Sequence, residues 1–163
     1  MTNLLNTGAK ATIWGKFKKL WMYYILQSLM AAAVLCILVR ILGKDRMVLI
    51  SSMGATAFIL FAMPTTASAQ TRHVIGGYLV CLAVGFLFYY ADLPYILGYP
   101  LTLAVAIFFM VALDVEHPPA AGTALAVVIN EVSFDVSFIT VMLSAVLLSQ
   151  CRYYLRNYLK DLL

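Results

Sequence analysis

The sequence predicts an all-α, polytopic membrane protein with four long transmembrane helices and two short or broken ones, ordered as an internal repeat. Three observations carry this. Hydrophobic residues make up 64% of the 163-residue chain and charged ones 11%, far from the roughly even apolar share of a soluble domain. The apolar residues fall into six runs separated by short polar or proline-containing breaks. The second and fifth runs are short, and both contain a stretch of small residues, 51–57 and 120–124.

The runs lie at 20–42, 46–63, 73–91, 97–113, 118–130 and 134–151. A helix needs about 20 residues to cross a ~30 Å hydrocarbon core, so the first, third, fourth and sixth are candidate spans. The fifth reaches only about 20 Å. The second reaches about 25 Å, but opens on the small, polar "SSMGATA". "GATAFILFA" (54–62) and "GTALAVVIN" (122–130) are alike, and each follows one long run and precedes another. Long, short, long therefore occurs twice, and paired interrupted helices of this kind mark the binding site in transporters built from repeats. The competing explanation is that small, apolar membrane segments all look alike.

The flanks divide into an interfacial segment (1–19), the transmembrane domain (20–151) and a cytoplasmic or interfacial tail (152–163). In "IWGKFKKLW", Ile13, Trp14, Phe17, Leu20 and Trp21 share one helical face with lysines opposite, as in a helix lying at a membrane surface. The run from 20 to 42 is too long for a signal-peptide core and ends in basic residues without a clear cleavage site, so it is expected to remain as a span. The tail "CRYYLRNYLKDLL" has the tyrosines and basic residues of a membrane boundary. The net charge of +4 is spread over ends and loops, which suits anchoring to the bilayer surface and not nucleic acid. Cys36, Cys81 and Cys151 lie far apart, without metal spacing or a disulfide framework. Gly77, Cys81 and Gly85 form a smooth stripe for close helix contact. No stretch is expected to fold as an ATP-hydrolysing domain, so transport would run downhill or on an ion gradient.

Basic residues set the topology. If both short segments cross, Lys10, Lys16, Lys18, Lys19, Arg72, Arg152, Arg156 and Lys160 share one side, leaving Arg40, Lys44 and Arg46 opposite. If both are re-entrant, Arg72 changes side, but the termini still lie together. Both termini are therefore expected in the cytoplasm, with the chain in a bacterial inner (plasma) membrane.

Rare polar groups gather in two places. In "DVEHPPAAGTALAVVIN" (114–130), Pro118 and Pro119 suit the first turn of a helix, and Asp114, Glu116 and His117 precede its positive end. Ala120, Ala121, Gly122 and Thr123 keep that turn slim enough for another chain or a small solute to approach backbone amides. If it lies within the membrane, it must face protein or a water-filled cavity. The other cluster is "MPTTASAQTRHVIGGY" (63–78), with Gln70, Arg72 and His73, for which an ordinary polar surface loop is an equal reading.

"EHPPAAGTALAVV" together with "GATAFILFAMPTTASAQTRHVIGGYLV" resembles the HPP family of small integral membrane proteins, over about 51–149. The family includes members implicated in nitrite transport, so the resemblance implies a transporter or channel for a small inorganic anion, nitrite foremost. The matching positions are His117, Pro118, Pro119, Gly122, Thr123 and Ala124, and Gly54, Ala55, Pro64, Gln70, Arg72, Gly76 and Gly77. The chain departs from the usual pattern at Thr71, where proline is common, at His73, where asparagine is common, and at Tyr78, where histidine often stands. The last change removes a group that would titrate near neutrality.

The expected solute path runs past the starts of the two short helices: Gly54 and Thr56 from one; His117, Pro118, Pro119, Gly122 and Thr123 from the other; with Gln70, Arg72 and His73. Helix amino ends and Arg72 would favour an anion, and His117 would carry a proton. Asp114 and Glu116 would repel it unless turned to water or paired with Arg72 or His117. The expected partners are the anion, protons, the bilayer and further copies of the chain. A proton or cation channel using Asp114, Glu116 and His117 is the first alternative, and a non-transporting membrane partner or sensor the second. No catalytic signature is present, and no enzyme activity, cofactor or metal is expected.

Overall fold

The computed structural model describes residues 4–42, 47–130 and 133–162, and the side chains of 14–15, 17–41, 50–129 and 133–162. It is built of six α-helices and one 3₁₀ turn, with no strand among the described residues: α1 (Leu4–Leu42), α2 (Met47–Ala62), the turn Ala67–Ala69, α3 (Thr71–Ala91), α4 (Tyr95–Ala112), α5 (Pro118–Asn130) and α6 (Phe134–Leu155). Phe17–Ile41, Thr71–Ala91, Tyr95–Ala112 and Phe134–Leu155 are long and apolar enough to cross a membrane. The order long, short, long, twice over, is as the sequence predicts. The interfacial stretch and first span form one continuous helix, with Trp14 and Phe17 exposed and stacked.

Contacts fix the helix directions. The Gln27 side chain of α1 donates to Phe61 O near the end of α2 and, at 2.9 Å, to Lys160 O of the tail. Leu162 N donates to Ala62 O at 3.0 Å, and Arg152 near the end of α6 donates to Pro64 O. At the other end, the Phe86 and Phe134 rings join α3 to the start of α6, with centroids 4.8 Å apart. Helices α1, α3 and α5 thus run one way and α2, α4 and α6 the other. The short helices continue this alternation and do not turn back, and the tail lies beside the middle of α1. Lys44 and Arg46, part of the charge count for the opposite side, lie outside the described residues, as do the side chains of Lys10 and Lys16.

The packing itself carries the repeat. Helix α2 packs on α1, α5 and α6, whereas α5 packs on α4, α2 and α3. Helix α3 also meets α4 and α6, and α6 meets α1. Exchanging α1–α3 with α4–α6 maps these neighbours onto themselves. Each short helix is interlocked with the last helix of the other half. Three helices of alternating direction per half make the two halves opposite in orientation, an inverted arrangement.

The tightest seam joins α3 to the 115–127 stretch, and its glycines explain why. A Cβ at Gly85 would stand 2.9 Å from Ala124 O, and one at Gly77 would stand 2.8 Å from the His117 Cβ. Between them, Cys81 is buried with its thiol 3.6 Å from the Met110 sulfur. Small residues allow such backbone approach where apolar lipid gives helices little reason to associate. Gly54 and Gly122 are different: among the described residues beyond each glycine's own helix turn, nothing lies within 4 Å of a Cβ placed at either.

Candidate functional site

Five buried polar side chains meet where the first turn of α5 crosses the middle of α2. Ser52 and Thr56, four residues apart, share one face of α2. Tyr78 projects from α3, His117 immediately precedes α5, and Thr123 lies in its second turn. Thr56, Tyr78, His117 and Thr123 are wholly buried and Ser52 nearly so. The Thr56 hydroxyl lies 2.9 Å from His117 Nε2 and 2.6 Å from the Tyr78 hydroxyl. The Ser52 hydroxyl lies 3.1 Å from that of Tyr78, donates to Pro119 O at 2.7 Å and accepts from Thr123 at 2.9 Å.

Hydrogen-bond chemistry fixes the ring. His117 Nδ1 lies 2.8 Å from Ser68 O; a carbonyl only accepts, so Nδ1 carries a proton. In the neutral ring Nε2 then accepts from Thr56, and Thr56 accepts from Tyr78. The Ser52 proton is committed to Pro119 O, which leaves the Ser52–Tyr78 approach without one. Every hydroxyl of this cluster has a partner, as a low-dielectric interior requires.

A second cluster, charged and more exposed, borders this one. Arg72 pairs with Asp114 at 2.9 Å, both side chains more than 60% exposed. Asp114 takes a left-handed backbone conformation (φ 54°) as the chain leaves α4. His73, buried in the first turn of α3, turns Nδ1 to within 3.4 Å of a Glu116 carboxylate oxygen.

The expected path residues therefore divide. His117, Thr56 and Thr123 join the buried network, and Arg72 and His73 join the acids. Gln70 is exposed at the N-cap of α3, without a side-chain capping bond. Pro118 is exposed and Pro119 half-buried; Gly54 is half-buried and Gly122 exposed, both open around the Cβ position. The start of α5 offers fewer amides than a slim turn suggests. Pro118 and Pro119 have no N–H, and Ala120 N already donates to His117 O at 2.9 Å. Donors at this point are side-chain hydroxyls. Asp114 is paired with Arg72, while Glu116 faces His73 and not His117. Arg72 does not fold inward.

Sequence reading passed over Ser52, Ser68 and Tyr78. The signal for Ser52 was its spacing from Thr56, which places both on one helical face. Tyr78 counted as a lost titratable group, yet its hydroxyl joins the α2 residues to one another. A groove of about 370 Å³ between α4 and α5 reaches His117, lined by Ile107, Met110 and Val111 on one side and Glu116 and Ala121 on the other.

Comparison with curated proteins and with solved structures found no match. A family model described as "HPP, transmembrane region" matches residues 16–161, nearly the whole chain and both polar clusters, and the protein therefore belongs to the HPP family of transmembrane proteins.

Proposed function

We propose that the protein moves a small inorganic anion, nitrite foremost, across a bacterial inner membrane, with the buried network as the polar lining of the path. The observation that carries this reading is the chain of hydroxyls ending on a buried imidazole, fully satisfied yet able to reverse. A second proton on His117 would sit on Nε2 and donate to Thr56; Thr56 would then donate to Tyr78, and Tyr78 to Ser52. The Ser52–Tyr78 approach of 3.1 Å, protonless in the neutral state, would become a bond. One proton thus reorients two hydroxyls, those of Thr56 and Tyr78, and adds a positive charge beside the groove. An anion arriving with a proton would meet that charge, which offsets part of its desolvation. Tyr78, His73 and Glu116 are the titratable neighbours, and pairing Asp114 with Arg72 moderates its repulsion of an anion. The reading is of transport and not catalysis.

The same reversible chain favours one second reading, a proton or cation channel. Uptake into proteoliposomes of nitrite, nitrate, formate and chloride, with the sign of the current recorded, separates the two. Nitrite uptake that rises as external pH falls is expected. His117→Asn should fold and lose that pH dependence, and Tyr78→Phe should reduce proton-linked uptake on the order of tenfold by removing one hydrogen bond of the chain. An unchanged pH profile in His117→Asn would assign the histidine to structure. Reporters fused to each terminus are expected to read cytoplasmic, and crosslinking in membranes to give a homo-oligomer.

A further inference from the structure

The cluster of His73, Asp114 and Glu116 has a geometry that pairing with Arg72 does not account for. Each offers one donor atom, and the three atoms lie within 4.8 Å of one another. His73 is the key member. Its side chain is only 7% exposed, and Nδ1 is buried without a hydrogen-bond partner. That atom faces a Glu116 carboxylate oxygen at 3.4 Å. A buried nitrogen facing a carboxylate needs a positive charge between them, and a proton on Nδ1 or a bound cation supplies it.

We propose that His73, Glu116 and Asp114 bind a divalent first-row transition-metal cation, with water completing its coordination. Ligand bonds of about 2.1 Å in a tetrahedral arrangement place donors about 3.4 Å apart, the separation of His73 Nδ1 and Glu116 Oε2. One imidazole and two carboxylates suit such a cation better than calcium or magnesium, which prefer all-oxygen shells. Glu116 is 43% exposed and gives the ion a way in from water. Asp114 is held by Arg72 through one oxygen, Oδ2, in an exposed pair that a divalent ion can displace. Sequence spacing could not reveal the site, because α3 and the α4–α5 connection bring together residues about forty positions apart.

The site does not depend on the transport reading, and its test measures binding alone. Zn²⁺ is titrated calorimetrically into the full chain in detergent, in a Cys36→Ser/Cys151→Ser background that removes the two accessible thiols. One saturable site per chain is expected, with affinity lowered at least tenfold in His73→Asn and in Glu116→Gln. Glu116 is half-exposed, so Glu116→Gln is expected to fold even if His73→Asn does not. Co²⁺ should give a d–d spectrum without thiolate charge transfer. The absence of saturable binding, or binding at full strength by either folded variant, overturns the proposal.

Discussion

The two polar clusters are chain neighbours, Glu116 preceding His117 and His73 lying five residues before Tyr78, yet they follow opposite rules. The inner one contains no formal charge in its neutral state, is dry and has every hydroxyl partnered. The outer one contains three formal charges, with Arg72 and Asp114 largely in solvent. A single residue step from Glu116 to His117 takes the chain from one to the other, and the double proline then starts the helix. Hydroxyls and a neutral imidazole can satisfy one another in a low-dielectric interior, whereas unpaired charges cannot. The difference teaches that this protein keeps permanent charge at the rim of the site and places neutral polarity inside.

The largest expected effect is on the inner cluster. His117→Leu removes the donor to Ser68 O and the acceptor of the Thr56 proton at once. Each orphaned group costs about 1–3 kcal/mol, so a loss on the order of 3 kcal/mol is expected, read as a large fall in thermal midpoint in detergent. A fall no greater than that of a rim substitution such as Asp114→Asn would break the distinction between the clusters.

A smaller effect should separate the glycines that hold the inner cluster in place from those that do not. Gly85→Ala sets a methyl group against a backbone carbonyl of α5 at 2.9 Å, and backbone cannot rotate aside. A loss of about 1–3 kcal/mol is expected, typical of overpacking. Gly122→Ala meets open space within the chain and should leave the monomer's midpoint unchanged or slightly raised, since alanine favours helix. Equal losses at the two positions would mean that the α3–α5 seam is not what fixes His117.

Much of the fold was legible because a bilayer imposes length and composition on each element. The thirteen apolar residues after His117 could be only a short helix, and Pro118 at its first position marked the boundary. The interlocking of halves was not legible, since nothing in "GATAFILFA" says that it packs on α5 and α6 in preference to α3. The site was legible at His117, Thr56 and Thr123, because histidine and hydroxyls inside apolar runs stand out. Tyr78 was missed because tyrosine among apolar residues reads equally well as an interface anchor. The shortage of amides at the start of α5 was written in its two prolines. Taken as signs of a helix start, they equally mark the loss of two donors.

The smallest expected effect lies at the rim, in the Arg72–Asp114 pair. Both side chains are largely in water, where an ion pair gains little after the entropy of holding two chains together. Its coupling in a double-mutant cycle should fall below about 1 kcal/mol. Arg72→Asp alone would set three carboxylates together and should destabilise the chain modestly, with Asp114→Arg in the same molecule restoring most of the loss. Because the Debye length shrinks to about 3 Å at 1 M salt, both the penalty and its rescue should fade as salt is added, while the losses from His117→Leu and Gly85→Ala should not. A coupling of several kcal/mol that survives high salt would move Arg72 into the dry interior and erase the boundary between the clusters.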